Sequence, residues 1–243
     1  MAISAKPYLR ALSMRHDASG DVARYPFNIP ALRAMASLDF HADVTFFIGE
    51  NGAGKSTMLE AIAVAMGLPA EGGSPNVSRQ QQEVSPLHHA LRLVKGHARA
   101  RWSYFLRAES VFNVISYIDS LGPPSKPSLH LRSHGEAFMD LLLGFADDGF
   151  YLLDEQEAAL SPNRQLAALV AIDQLVKRGA QFIIATHSPI LLAYPNAKIM
   201  VFDQGGIREI AFEDTEHYAI TRDFLNHYPR RLQQLLGEEE GMQ

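Results

Sequence analysis

The chain of 243 residues contains no cysteine. That absence excludes disulfide staples and thiolate metal sites, and it is compatible with a reducing compartment. No apolar run approaches the roughly 18 residues that a membrane-spanning helix needs. The opening Met1-Ala2-Ile3-Ser4-Ala5-Lys6-Pro7 holds no apolar stretch of leader-peptide length. A cytoplasmic chain without direct membrane insertion is therefore expected. An excess of positive charge is also missing: 22 Lys and Arg against 27 Asp and Glu leave a formal charge of −5. Net charge thus gives no support for nucleic acid as a partner, and any such contact has to come from a local patch. His88, His89, His130 and His134 lack metal-ligand spacing, so no transition metal is expected.

What the chain does have is Gly49-Glu50-Asn51-Gly52-Ala53-Gly54-Lys55-Ser56-Thr57. It lies between an apolar strand-like run, Val44 to Ile48, and a helix-like run from Ser56 to about Met66. Glycines let the backbone turn its N–H groups toward phosphate oxygens, and the positive end of the following helix adds to that field. In this pattern Lys55 reaches the β and γ phosphates and Ser56 meets a magnesium ion. A Gly-rich helix cap alone does not explain a lysine and two hydroxyls after the third glycine. The pattern implies binding of a nucleoside triphosphate.

A second apolar run, Phe150-Tyr151-Leu152-Leu153, ends in Asp154-Glu155. Carboxylates at the end of a buried strand need a compensating cation, and magnesium bridging two phosphates supplies one for Asp154. Glu155 beside it is placed as general base for an attacking water. The alternative is a pair of acids at a solvated helix start. Thr186-His187-Ser188 follows a third apolar run, Phe182 to Ala185, and puts a histidine where a γ phosphate would lie. The plainer reading satisfies His187 within the Ser188-Pro189 helix start. Ser133-His134-Gly135-Glu136 opens a further helix-like run and reads either as a phosphate-binding helix start or as a capping box.

Taken in order, these motifs and Ala159-Leu160-Ser161 resemble the set found in ATP-binding-cassette (ABC) ATPases. The Ser-x-Gly-Glu form is similar to the heads of chromosome-maintenance and recombination-repair ATPases. The strings Ser-His-Gly-Glu-Ala-Phe, Leu-Leu-Asp-Glu-Gln-Glu-Ala-Ala-Leu-Ser-Pro and Ile-Ala-Thr-His-Ser-Pro look like compact bacterial ATPases often labelled AAA family.

The resemblance implies an α/β P-loop NTPase fold: a parallel sheet flanked by helices, an N-terminal antiparallel β layer, and a small inserted lobe at about 67–132, all in one domain spanning 1–243. It implies ATP and Mg2+ as cofactors, ATP hydrolysis, and an ATP-dependent homodimer with an unknown protein partner. Residues Gly49 through Thr57 would hold ATP, joined from the opposing copy by Ser133, Gly135 and Glu136 and by Ser161 of the Ala159-Leu160-Ser161 loop. Lys55, Glu155 and His187 would be catalytic, and Ser56 and Asp154 would hold the metal. Glu109, aligned by strand-then-helix pattern, is the candidate third metal contact. Gln156 stands where the family commonly has proline.

Three readings remain beside a conformational ATPase: a low-turnover interaction module in a defence or toxin system, a DNA-repair factor, and a transporter's nucleotide-binding subunit. Too few residues separate Lys55 from Ser133 for long coiled-coil arms. Tyr25 and Phe27 are candidates to stack on adenine or to pack in the core. Arg92, Lys95, His97, Arg99 and Arg101 read as a solvated edge or as a phosphate-neutralising patch.

Overall fold

The computed structural model describes residues 5–15, 23–75, 84–107 and 134–237. Its centre is a six-stranded sheet in the order β5-β6-β7-β3-β8-β9. The strands are β3 (Val44–Ile48), β5 (Trp102–Arg107), β6 (Gly149–Asp154), β7 (Gln181–Ala185), β8 (Lys198–Asp203) and β9 (Gly206–Glu209). All neighbours run parallel except β9, which returns antiparallel beside β8. Every residue of β3, β6 and β7 is buried. That is why these strands read as continuous apolar runs rather than alternating ones: both faces of a parallel sheet are covered.

The period-two geometry of a strand divides those runs between two apolar layers. On one face Phe47, Leu152 and Ile183 pack with Met58, Leu59 and Ile62 of α2 (Lys55–Ala65) and with Leu9 and Leu12. On the other, Phe46, Leu153 and Ile184 meet Phe138 of α4 (His134–Leu143) and Ala168, Ile172 and Leu175 of α5 (Pro162–Lys177). Leu9 and Leu12 belong to β1 (Leu9–Met14), the middle strand of an antiparallel layer β2-β1-β4, with β2 at Ser37–Asp39 and β4 at Leu91–Lys95.

A buried amide also links the two sheets. Gln181, at the start of β7, accepts the Tyr8 and Leu9 N–H groups at 2.8 and 3.0 Å and donates to Leu9 O at 2.8 Å and His41 O at 2.9 Å. All four polar valences of its side chain are used, as burial requires.

The expected N-terminal antiparallel layer is present, and β4, from the stretch read as an inserted lobe, completes it. Strand β5, from the same stretch, is the edge of the central sheet. Residues 76–83 and 108–133 of that stretch lie outside the described residues.

Short helices α1 (Pro30–Arg33), α3 (Leu87–Ala90) and α6 (Pro189–Leu192) fill the connections. The last element, α7 (Glu216–Leu236), starts at Thr215, whose hydroxyl accepts the Tyr218 N–H at 3.2 Å. Pro229 lies inside it and His227 leaves helical geometry, the kink expected where a proline ring meets the preceding turn. No helix among the described residues is long and apolar enough to cross a membrane.

Candidate nucleotide site

The carboxyl ends of β3, β5, β6 and β7 point the same way, and the loops leaving them build the site, as is usual in parallel α/β sheets. From β3 the chain turns at Gly49, with φ 139°, where a Cβ would sit 2.3 Å from Phe202 O. Only glycine fits between the loop and β8. The loop ends at Gly54, with φ 100°, which begins α2 without any side-chain cap. The first N–H groups of an eleven-residue helix are thus left for an external acceptor.

Lys55 is 3 % exposed. Its Nζ donates to Gly49 O at 2.8 Å and Glu50 O at 3.2 Å, and lies 3.0 Å from His187 Nε2 and 3.5 Å from Glu155 Oε1. Burial pulls its pKa down, and the carboxylates of Glu155, Asp154 and Glu157 oppose that pull. Asp154 ends β6 and accepts from Ser56 Oγ at 2.9 Å. Burial pushes its pKa up to about 6, against the Ser56 hydrogen bond and the charge of Arg107.

Glu155 adopts left-handed geometry, φ 53°, at the start of a 3₁₀ turn, and its N–H donates to Ala185 O at 2.9 Å. That bond ties the turn after β6 to the end of β7 and brings Glu155 Oε1 within 3.3 Å of His187 Nε2. The Ser188 hydroxyl caps α6 by accepting the Leu191 N–H at 3.1 Å. The His187 ring therefore serves no helix start and faces Lys55 and Glu155. Buried acid, lysine, carboxylate and histidine around an uncapped helix start form a site for a phosphate-bearing ligand whose charges can be balanced and whose attacking water can lose a proton.

Comparisons with known proteins agree with this chemistry. A family model described as an AAA domain matches residues 28–105. The hemin import ATP-binding protein HmuV of Nocardia farcinica is 29% identical over 222 residues, covering 81% of this chain and 75% of its own length. The energy-coupling factor transporter ATP-binding protein EcfA2 of Methanospirillum hungatei is 27% identical over 223 residues, covering 79% of this chain and 55% of its own length. Both ATP-binding relatives align over about four fifths of the chain. The chain is similar to ABC-type ATP-binding proteins. A solved structure, the SMC head domain from Thermotoga maritima, is similar at 17% identity and a TM-score of 0.47, over 84% of this chain and 98% of that one.

Elsewhere in the chain, Gly135 lies in the first turn of α4 against the end of the 3₁₀ turn Gln156–Ala159. A Cβ there would meet Ala159 O at 2.5 Å and Arg164 Nη1 at 2.8 Å. Glu136 accepts from Arg164 Nη2 at 2.9 Å. Ser161 is exposed at the N-cap of α5, with no capping bond from its side chain. Gly135, Glu136 and the Ala159–Ser161 loop are thus neighbours, while Ser133 and Glu109 lie outside the described residues. Of the two aromatic candidates, Phe27 packs against the core and Tyr25 is 59% exposed with its hydroxyl 3.1 Å from Thr57 Oγ1. Gln156, in place of the commoner proline, is buried and donates to Leu106 O at 3.0 Å and Asp154 O at 2.9 Å, holding the ends of β5 and β6 together. Arg92, Lys95, His97, Arg99 and Arg101 are all exposed.

Three site residues escape sequence reading. Arg107 ends β5 directly across from Asp154 in the parallel register, its Nε 3.7 Å from Asp154 Oδ2 and its Nη1 3.1 Å from Glu60 Oε2. Glu157 accepts the His187 N–H through Oε1. His217, in the first turn of α7, brings its Nε2 to 3.2 Å from His187 Nδ1. A cavity of about 750 Å³ lies between Gly49–Ala53, His187, Arg208 and the start of α7. The only signal for Arg107 and Glu157 is adjacency to the recognised motifs; His217 has none.

Proposed function

We propose that two copies of the ATPase close around two ATP molecules, hydrolyse them, and pass the resulting opening and closing to a partner protein. Each copy holds one nucleotide on its Gly49–Thr57 loop, with Lys55 on the β and γ phosphates. Glu155 takes the proton of the attacking water, and His187 Nε2 donates to the γ phosphate. Ser133, Gly135, Glu136 and Ser161 complete the neighbouring copy's site. The observation that carries this reading is the approach of Lys55, Glu155 and His187 to within 3.5 Å of one another from three separate strand ends.

Magnesium fits this chemistry. Ser56 Oγ and Asp154 Oδ1 are oxygen donors already brought together, the kind a hard divalent cation prefers. Such a cation takes its remaining ligands from phosphate and water. Bound there, it would neutralise charge on the β and γ oxygens.

The test compares wild type with Glu155→Gln. Wild type is expected to release phosphate, and the variant to bind ATP while losing roughly 100-fold or more in turnover. With ATP the variant is expected to elute as a dimer in size-exclusion chromatography. A variant that turns over like wild type, or stays monomeric at saturating ATP, overturns the reading.

A second reading is the nucleotide-binding subunit of a membrane transporter, favoured by relatives described as ATP-binding proteins of hemin import and of an energy-coupling factor transporter. Co-purification of a membrane protein with the Glu155→Gln dimer would establish it.

A further inference from the structure

His187 is held from both ring nitrogens, and the second contact comes from an element outside the motif set. Its Nε2 lies 3.0 Å from Lys55 Nζ and 3.3 Å from Glu155 Oε1. Its Nδ1 lies 3.2 Å from Nε2 of His217. The far nitrogen of His217, Nδ1, is buried and has no hydrogen-bond partner among the described residues. Around the pair stand Lys55 from α2, Glu155 and Glu157 from the turn after β6, and Glu216 beside His217 on α7. Burial first, and then the charges of His187 and Lys55, hold the His217 pKa below its ordinary value. A neutral imidazole has one N–H and one bare nitrogen, so His217 offers His187 either a donor or an acceptor, never both.

We propose that His217 is a positioning residue that sets which ring nitrogen of His187 carries the proton, and thereby couples α7 to the occupancy of the nucleotide site. The inference rests on the assignment of His187 as donor to the γ phosphate. Two proton arrangements satisfy the row. In the first, Lys55 Nζ, 3.0 Å away, donates to His187 Nε2, so the proton of that ring is on Nδ1 and is donated to His217 Nε2. His217 then keeps its own proton on Nδ1, where it is buried without a partner. When Lys55 turns to a phosphate, His187 Nε2 must carry a proton to donate to the γ oxygen. Its Nδ1 becomes bare and accepts from His217 Nε2–H, and the His217 nitrogen left facing the interior is also bare. One proton shifts from Nδ1 to Nε2 on each ring, and the total is unchanged.

The second arrangement removes an unpaired buried N–H, which is the more expensive kind of orphan. The first arrangement holds only while Lys55 donates to His187, and turning Lys55 to a triphosphate releases it. His217 is anchored through the Thr215 cap at the first turn of α7. A force that shifts this helix therefore alters the donor strength of His187, and the nucleotide in turn biases the seating of α7, since coupling between two sites is reciprocal.

The experiment uses full-length protein labelled with ¹⁵N in its histidine rings, as wild type, His217→Phe and His217→Gln. Phenylalanine keeps the ring volume and removes the nitrogens; glutamine retains one donor and one acceptor. Steady-state phosphate release and long-range ¹H–¹⁵N spectra of His187 are recorded, the spectra with and without a non-hydrolysable ATP analogue. His217→Phe is expected to lower kcat by roughly 10- to 100-fold, the range typical for loss of an orienting partner, with KM for ATP changed less than about threefold. Its His187 ring should lose the single protonation pattern of wild type, and His217→Gln should keep that pattern and stay within about threefold of wild-type kcat.

A Phe variant that retains wild-type kcat, or whose His187 spectrum matches wild type, overturns the proposal. Should the Phe variant fail to fold, His217→Asn, polar but too short to span the gap, takes its place with the same expectations. If wild type itself hydrolyses no ATP, the functional reading fails on its own. The nucleotide-free ring spectra still decide whether His217 governs His187.

Discussion

Ser56 donates its hydroxyl proton to Asp154 across 2.9 Å, joining the loop after β3 to the end of β6 in a buried place where the carboxylate is held against its own desolvation. An acidic group is thus held in an unfavourable setting that a cation bound there would relieve.

Asp154→Asn is expected to stabilise the free chain and to remove its response to magnesium. The folded-state pKa of about 6 exceeds the ordinary 3.8, so the native state binds its proton more tightly than the unfolded state. Stability from this group therefore falls as pH rises from about 4 through about 6, and the penalty is complete above that range. The shift corresponds to about 3 kcal/mol. Thermal unfolding at several pH values checks it. The advantage of the Asn variant should grow from pH 4 to pH 7.5, and an advantage independent of pH contradicts the account.

Lys55→Ala is expected to weaken ATP binding by roughly 100-fold or more, because charge-assisted hydrogen bonds contribute about 1.5–3 kcal/mol each and two phosphates are involved. Titration calorimetry measures it. The fold should survive, since the partners Gly49 O and Glu50 O lie in a loop open to water. An unchanged dissociation constant would dissociate the loop from nucleotide binding.

Gly135→Ala should destabilise the chain by about 1–3 kcal/mol, the range for inserting a methyl group into a packed site. The added carbon would lie 2.5 Å from the backbone oxygen of Ala159, which has little freedom to withdraw. Because that carbonyl precedes Ser161, the same change is expected to weaken ATP-dependent dimer formation. A variant of wild-type melting temperature and wild-type dimerisation would show that the contact is slack.

Gln181→Leu should be the most damaging of these changes, about 3 kcal/mol or more, since each buried polar group left unpaired costs about 1–3 kcal/mol. Four backbone groups, on Tyr8, on Leu9 twice and on His41, lose their partner. Hydrogen exchange should quicken first in β1 and β2, the layer that Gln181 holds. Uniform acceleration across both sheets would argue against a local staple.

Contiguity separates what was legible from what was not. The loop Gly49–Thr57, the strand ending in Asp154-Glu155 and the strand leading to His187 are each local, and each announces itself as an apolar run followed by polar chemistry. Their convergence follows from a general property of parallel sheets. Arg107 meets Asp154 only because β5 and β6 pair in one particular register. Leu91–Lys95 read as part of a lobe, yet it pairs with β1 across some eighty positions of chain. Helix α7 gave little warning: its mean hydropathy is low, a proline interrupts it, and none of its residues is buried.

Residue order by itself determined the phosphate loop and the acidic pair, and with them the resemblance to ABC ATPases, because these depend on bonds and periodicities within a few residues. Only the folded chain decided that β4 closes the antiparallel layer, that a buried glutamine links the two sheets, and that His217 stands behind His187. Those are contacts between distant segments, chosen by the burial of shared apolar faces and by the need of each buried polar group for a partner. No short stretch of sequence holds both halves of such a pair.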